Sequence, residues 1–479
     1  MNKKKSNVKA LGVFVLAMIN VAAVLSLRNL PPMAEFGWSS IGWYLIGTIT
    51  FLIPLSMAGA ELATGWPKGG GVYAWVQEAF GDTSGFIAVF CEWSNDLVWF
   101  PTILAFLAST LAFAFDPALA SNGLYMFAIM MIIFWGTTLI ALLGSKVSSR
   151  YSSIGVVIGT LVPAAFVIVL GIVYMFSGKP IQIPPFTLGA LVPSISINTL
   201  PFLATIVLMF AGMEMAGFHA LEVRNPQKDY PKAMLLSALV IFVLTVIGTL
   251  AIAIVVPLSK LKLAAGLMQA FQAFLASYNL TWLLAPIAIL VVLGGIPLLA
   301  AWLIGPAMGL GVVATEGNLP PLFSRHNKNG APVGVLLLQA GIGTAISLLY
   351  VFIPGVNTAY WIMSAMTVTL LCIAYLLIFA ALIKLRYSQP DVKRAFKIPG
   401  GLVGVWIVGG LGFLATALTF VISMLPIGGI PMSGPLYVVI MIVGTAVLAL
   451  PPLVFLKFKK PGWKAAGKKA MQEEGLKKA

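Results

Sequence analysis

Six carboxylates stand in or at the ends of long apolar runs: Glu35, Glu61, Glu92, Asp96, Glu214 and Glu222. An ionised group at the centre of a bilayer costs on the order of 3 kcal/mol or more, so such residues face a cavity or a partner. The chemistry open to them is proton exchange, ion pairing or capture of a cationic group. In CEWSNDLVWFP, Glu92 and Asp96 lie one helical turn apart, with Asn95 and Trp99 adjoining. Two like charges at that spacing repel in low dielectric, so either one is protonated or a cation sits between them. Arg28 is the internal candidate for that cation. The arrangement then either braces two helices or receives the amino group of a ligand.

A second concentration is LMFAGMEMAGFHALEVRNPQKDYP, Leu208 to Pro231. The small pair Ala211 and Gly212 beside Glu214 is either a break, whose freed N–H groups and positive dipole end can hold a carboxylate, or a site of close helix packing. Glu214 is either a structural acid bonded to exposed backbone or one that changes protonation. His219 and Glu222 share a helix face. A histidine there is either a pH sensor or a satisfied interfacial residue. In AAWLIGPAMG, Trp302 precedes the kink signal Gly305-Pro306 and either gates a cavity or packs in the core. Tyr375 carries a hydroxyl into apolar surroundings and needs a partner. With two histidines, and with Cys91 and Cys372 both inside apolar runs, there is no metal-ligand spacing, phosphate loop or nucleophile elbow. An enzymatic reading therefore lacks raw material, and no cofactor or metal is expected.

The elements that must position these groups follow from composition. Of 479 residues, 60% are hydrophobic and 9% charged, against about 25% charged in soluble proteins. That excludes a cytosolic globular enzyme. Crossing a core about 30 Å thick takes roughly 20 apolar residues. Twelve segments qualify, near 11–37, 41–65, 85–115, 123–144, 152–177, 198–221, 232–257, 282–314, 332–354, 358–386, 402–425 and 436–457. The start MNKKKSNVKA reads as the approach to a first span, not a cleaved leader. The formal charge of +15 resolves into topology instead of nucleic-acid binding: with the N-terminus inside, 25 Lys and Arg fall in cytoplasmic loops and tails and three in outer loops. Residues 69–81 are too short and amphipathic to cross and are expected as an interfacial helix. Residues 458–479 form a basic cytoplasmic tail.

These residues also carry a resemblance. The run AELATGWPKGGGVYAWVQEAFG, Ala60 to Gly81, resembles the hallmark of the amino acid, polyamine and organocation (APC) permeases. So does F-x-G-x-E followed by E-x-x-N-P, here Phe210, Gly212, Glu214, Glu222, Asn225 and Pro226. Within that family the chain is similar to bacterial glutamate/GABA antiporters, through His219, DYP at Asp229 to Pro231, W-x-x-G-P at Trp302 to Pro306, NKNGAPV at Asn327 to Val333 and PDVKRAFKIPGG at Pro390 to Gly401.

The resemblance implies an all-α membrane protein of the leucine-transporter type, one transmembrane domain over residues 1–457. Residues 11–177 and 198–386 would be inverted five-helix repeats, followed by helices eleven and twelve over 402–457. The first and sixth spans would be broken at the midplane. Ile19, Asn20, Ala22 and Ala23, with Phe210, Ala211, Gly212 and Met213, would offer backbone to or adjoin the substrate, and Trp302 and Tyr375 would line or gate; Asn95 and Asp96 are candidate substrate contacts on their own position, since Glu92 and Asp96 have no counterparts in those antiporters. Glu214, His219, Glu222, Glu92 and Arg28 would be structural or proton-linked. The implied function is amino-acid exchange by alternating access in the inner membrane, both termini cytoplasmic, by a monomer or homodimer with an amino acid or amine as its small-molecule partner and no nucleic acid. Proton-coupled amino acid or polyamine uptake is the alternative; a channel or a non-transporting sensor would be a different class. Departures bear on substrate: LSLRNLPP, Leu25 to Pro32, replaces the antiporters' YEYP stretch, and Leu298 and Leu371 stand where they carry glutamate and tyrosine. No lysine stands between Tyr151 and Ser177, which weakens simple proton symport. The antiporters' long C-terminal plug is matched by only about twenty Lys-rich residues after Lys460, which argues against strict acid activation.

Overall fold

A computed structural model describes residues 12–67, 71–143, 157–196, 200, 203–213, 226–353, 355–426, 432–467 and 469. In hydrocarbon every backbone N–H and C=O must be paired within the segment, so long apolar runs become helices. Among the described residues the chain is helical throughout, with no strand. Ten helices are long and apolar enough to cross a membrane. The third, eighth and tenth expected segments become Asp82–Ala112, Thr281–Thr315 and Val356–Ser388. The first and sixth are not among the ten: among the described residues the first is interrupted after Val24 and the helix of the sixth ends at Phe210.

The helices are α1 (Val13–Val24), α2 (Leu30–Ala34), α3 (Ser39–Gly65), α4 (Val72–Phe80), α5 (Asp82–Ala112), α6 (Gly123–Leu142), α7 (Gly159–Phe176) and α8 (Leu203–Phe210). After them come α9 (Pro226–Val255), α10 (Gly266–Ser277), α11 (Leu284–Thr315), α12 (Val333–Ser347), α13 (Val356–Ser388), α14 (Gly401–Ser423) and α15 (Gly434–Ala449). Between α1 and α2, Leu25 and Ser26 are extended and Leu27–Asn29 makes a single tight turn. Pro31 and Pro32 explain the break. Their rings would clash with the carbonyls of Leu27 and Arg28 in a continuous helix, yet both fit the first turn of a new one. At the end of α8, Gly212 has φ +100°, a conformation that ends a helix and that L side chains rarely adopt.

The nearly wholly buried α5 and the well-buried α13 pack against each other at the centre. Around them α8 lies against α13 and α14, and α1 against α9. Helices α14 and α15 are peripheral and expose Trp406, Leu414 and Val447. The start of α7 crosses α11 backbone to backbone: a Cβ on Gly159 would lie 2.1 Å from the Cα of Gly294. The expected interfacial helix forms as α4, its apolar face buried against α5 and α13. Tyr73 of α4 donates to the Glu316 carboxylate that follows α11, and Gln77 adds a bond of 3.2 Å. Burial, and then the bond to Glu316, hold the Tyr73 hydroxyl above its ordinary range, so it stays a donor at neutral pH.

Near the end of α3, Glu61 accepts from Arg386 at 2.6 Å and from the backbone N–H of Ile398 at 2.8 Å, and Arg394 lies 3.3 Å away. Arg394 also covers the Trp66 ring at 4.9 Å and donates to the carbonyls of Leu385 and Gln389 at 3.2 and 2.9 Å. The segment after α13 is thereby clamped onto the end of α3. Removing one partner of a buried pair costs about 3–5 kcal/mol, while replacing both costs far less. Glu61→Gln is therefore expected to lower the thermal unfolding midpoint in detergent markedly, and Glu61→Gln with Arg386→Met to recover part of the loss; a single variant as stable as the parent would contradict this account.

Candidate functional site

The two helix breaks meet at one cavity of about 60 Å³. The first break contributes Leu25, Ser26, Arg28 and Asn29, and α5 contributes Glu92, Asn95, Asp96 and Trp99. The end of α8 supplies Ala211 and Gly212, α11 supplies Leu298 and Trp302, and α13 supplies Leu371 and Tyr375. Each break is tolerable at this depth because irregular backbone here lines a cavity, not lipid. One freed group is answered directly: the Gly212 N–H donates to the Tyr375 hydroxyl at 3.3 Å. Tyr375 is in turn fixed against Phe51, ring centroids 5.4 Å apart.

Arg28 is fully buried. Its Nη1 donates to the Thr102 hydroxyl, and the guanidinium lies 5.5 Å from the centre of the Trp99 ring. Trp99 packs on Trp302 at 5.6 Å, so cation and two indoles form a continuous wall. Tyr360 of α13 donates to the Arg28 carbonyl at 3.3 Å. No Arg28 nitrogen comes within 4 Å of a Glu92 or Asp96 oxygen. The bracing pair considered from sequence is therefore not formed as a contact. Asp96 is buried with its Oδ2 unpartnered, and Asn95 turns its amide to the Glu92 carbonyl.

Of the residues singled out in the sequence, Arg28, Glu92, Asn95, Asp96, Ala211, Gly212, Trp302 and Tyr375 share this cavity. Phe210 and Met213 are buried beside it without lining it. Asn20 does not line it either, because the break falls later, at Leu25 and Ser26, and the side chains of Ile19, Ala22 and Ala23 lie outside the described residues. All four positions lie in regular helix, and Asn20 donates to Ser237 of α9 at 3.2 Å. The carbonyls of the last turn of α1 have no helical partners, so Ala22 and Ala23 keep a route to the cavity through backbone. Glu214, His219 and Glu222 lie outside the described residues. Sequence reasoning did not assign Thr102 and Tyr360, both of which hold Arg28. Thr102 follows Pro101, where a helix interior loses a hydrogen bond, and that is the one local signal available.

A family model described as amino acid permease matches residues 11–447. The chain belongs to the amino acid permease (APC) family. The permease is 41% identical over 457 residues to an uncharacterized transporter of Legionella pneumophila, covering 94% of this chain and 97% of that one. It is 30% identical over 456 residues to a glutamate/gamma-aminobutyrate antiporter of Lactococcus lactis, with 94% and 90% covered. A branched-chain amino acid permease of Bacillus subtilis is 27% identical over 435 residues, with 86% and 87% covered. In this permease the left-handed backbone at Gly212 sets both the break and the bond to Tyr375. A Cβ there costs roughly 1–2 kcal/mol. Gly212→Ala is expected to reduce amino-acid flux in proteoliposomes about tenfold at equal protein level, and a flux equal to that of the parent would argue against a role for this turn.

Proposed function

We propose that this permease is a secondary amino-acid antiporter, exchanging one amino acid for a related one or for its decarboxylation amine by alternating access. The observation that carries this reading is the cavity where the first break and the end of α8 meet, which is lined by helix-end residues, a cation and carboxylates. A zwitterion needs that mixture. The end of α1 would take the amino group on the carbonyls of its last turn, and the backbone around Gly212 the carboxylate. Trp302 would close one wall of the cavity, and Tyr375 would hold the α8 break in shape. Glu214, His219 and Glu222 would be structural or proton-linked. The body would be twelve helices in two inverted repeats, 11–177 and 198–386, followed by 402–457, with both termini cytoplasmic, as the 25 to 3 distribution of basic residues supports.

The Lactococcus lactis relative named a glutamate/gamma-aminobutyrate antiporter supports exchange. Asp96, buried with an unpartnered oxygen, favours a second reading, proton-coupled uptake, in which this carboxyl carries the proton. Counterflow separates the two. An exchanger in liposomes accumulates labelled amino acid when preloaded with substrate and stays near background when empty, with or without an inward proton gradient. Accumulation in empty liposomes driven by that gradient would sink the antiport reading, and gradient-independent leakage would indicate a channel.

A further inference from the structure

Helix α11 carries Trp302 into the cavity wall on a stretch bounded by two prolines. Pro297 and Pro306 both stand inside the helix, and a proline has no N–H for the carbonyl four residues before it. The ladder therefore lacks its bonds to the carbonyls of Leu293 and Trp302, and gaps of this kind are where helices bend. Trp302 lies between the two gaps, so its own helix does not fix it firmly against the cavity.

A brace comes from outside the cavity. Helix α12 packs against both α5 and α11, and its Gln339 is buried without lining the cavity. The Gln339 Oε1 accepts from the indole of Trp93 on α5 at 3.1 Å, and its Nε2 donates to the Leu303 carbonyl of α11 at 2.9 Å. Leu303 follows Trp302 directly, and Trp93 stands on the same helix as Trp99. Trp99 and Trp302 are the two indoles that pack together in the cavity wall. A buried amide is costly unless its groups are met, and an apolar residue would fill the same space. What the amide adds is an acceptor and a donor on one planar group, which fixes one helix relative to the other.

We infer that Gln339 is a positioning residue for the cavity: it ties α11 to α5 at the Trp302 turn and so holds the Trp302 ring against Trp99. This rests on the transport reading above, in which Trp302 closes one wall around the substrate. Gln339 touches no ligand and acts through Trp302.

Circular dichroism reads the ring pair without any substrate. Two indoles with centroids 5.6 Å apart and planes at 45° couple their transitions into a paired positive and negative band, isolated by subtracting the spectrum of Trp302→Phe in the same background. Gln339→Leu is expected to lose most of that couplet, and a couplet retained at the parent's amplitude overturns the proposal. If Gln339→Leu does not fold, Trp93→Phe, which withdraws the indole donor alone, carries the same expectation and the same refutation. Function is read by counterflow of the purified full chain with labelled glutamate, leucine and lysine. For whichever of these the parent exchanges, Gln339→Leu is expected to raise KM about fivefold while Vmax per folded protein changes less than about twofold. In a Trp302→Phe background the same substitution is expected to change KM little, because two residues serving one contact do not add. A fall in Vmax alone, or an equal rise in KM in both backgrounds, would make Gln339 a structural brace and overturn the proposal. Absence of exchange by the parent would count against the antiport reading alone, since the couplet still decides the role of Gln339.

Discussion

The constraint on which this structure turns is that a helix in lipid can be interrupted only where its freed backbone groups find something other than hydrocarbon. Among the described residues one helix is interrupted after Val24 and another ends after Phe210, and both border the same cavity. The surrounding arrangement serves that juxtaposition. Pro31 and Pro32 restart the first helix, Gly212 turns the other break, and Tyr375 answers the N–H that the turn releases. The buried α5 and α13 supply the rigid wall against which both broken segments are held.

Charge is buried in two different ways. At the end of α3, Glu61 meets two arginines and a backbone N–H, and the cluster ties distant segments together. Such a site is electrostatically closed and has little left to offer a ligand. Around Arg28 and Asp96 the opposite holds: both are buried at one cavity, and Arg28 Nε and Asp96 Oδ2 have no hydrogen-bond partner. The same residue types thus make a brace in one place and stay incompletely partnered in the other, and the difference lies in what stands within hydrogen-bonding distance of them.

Much of the architecture was legible in the sequence, because the length of an apolar run is set by bilayer thickness. The expected eighth segment, 282–314, and the observed Thr281–Thr315 differ by one residue at each end. At Gly212 the sequence left a break and close helix packing both open, and the helix end at Phe210 with φ +100° at Gly212 agrees with the first. The position of the first break was not legible, because its cause lies downstream in two prolines that act on the turn before them. The partners of Arg28 were hidden for another reason. Thr102 and Tyr360 stand 74 and 332 residues away in the chain, and which face of α5 or α13 turns toward the first break depends on packing that a single sequence does not encode. The Glu61 cluster was unreadable on the same ground, since its cations lie more than 300 residues on.

The crossing of Gly159 and Gly294 has a mechanical consequence. Two helices that interlock through side chains must lift knobs out of holes before one can slide on the other. Here the closest approach is made of bare Cα atoms, so the segments can shear by a fraction of an ångström without any side chain changing rotamer. At that one point, then, displacement of one segment along the other would meet no side-chain obstacle, whereas a Cβ on either glycine would force the backbones apart.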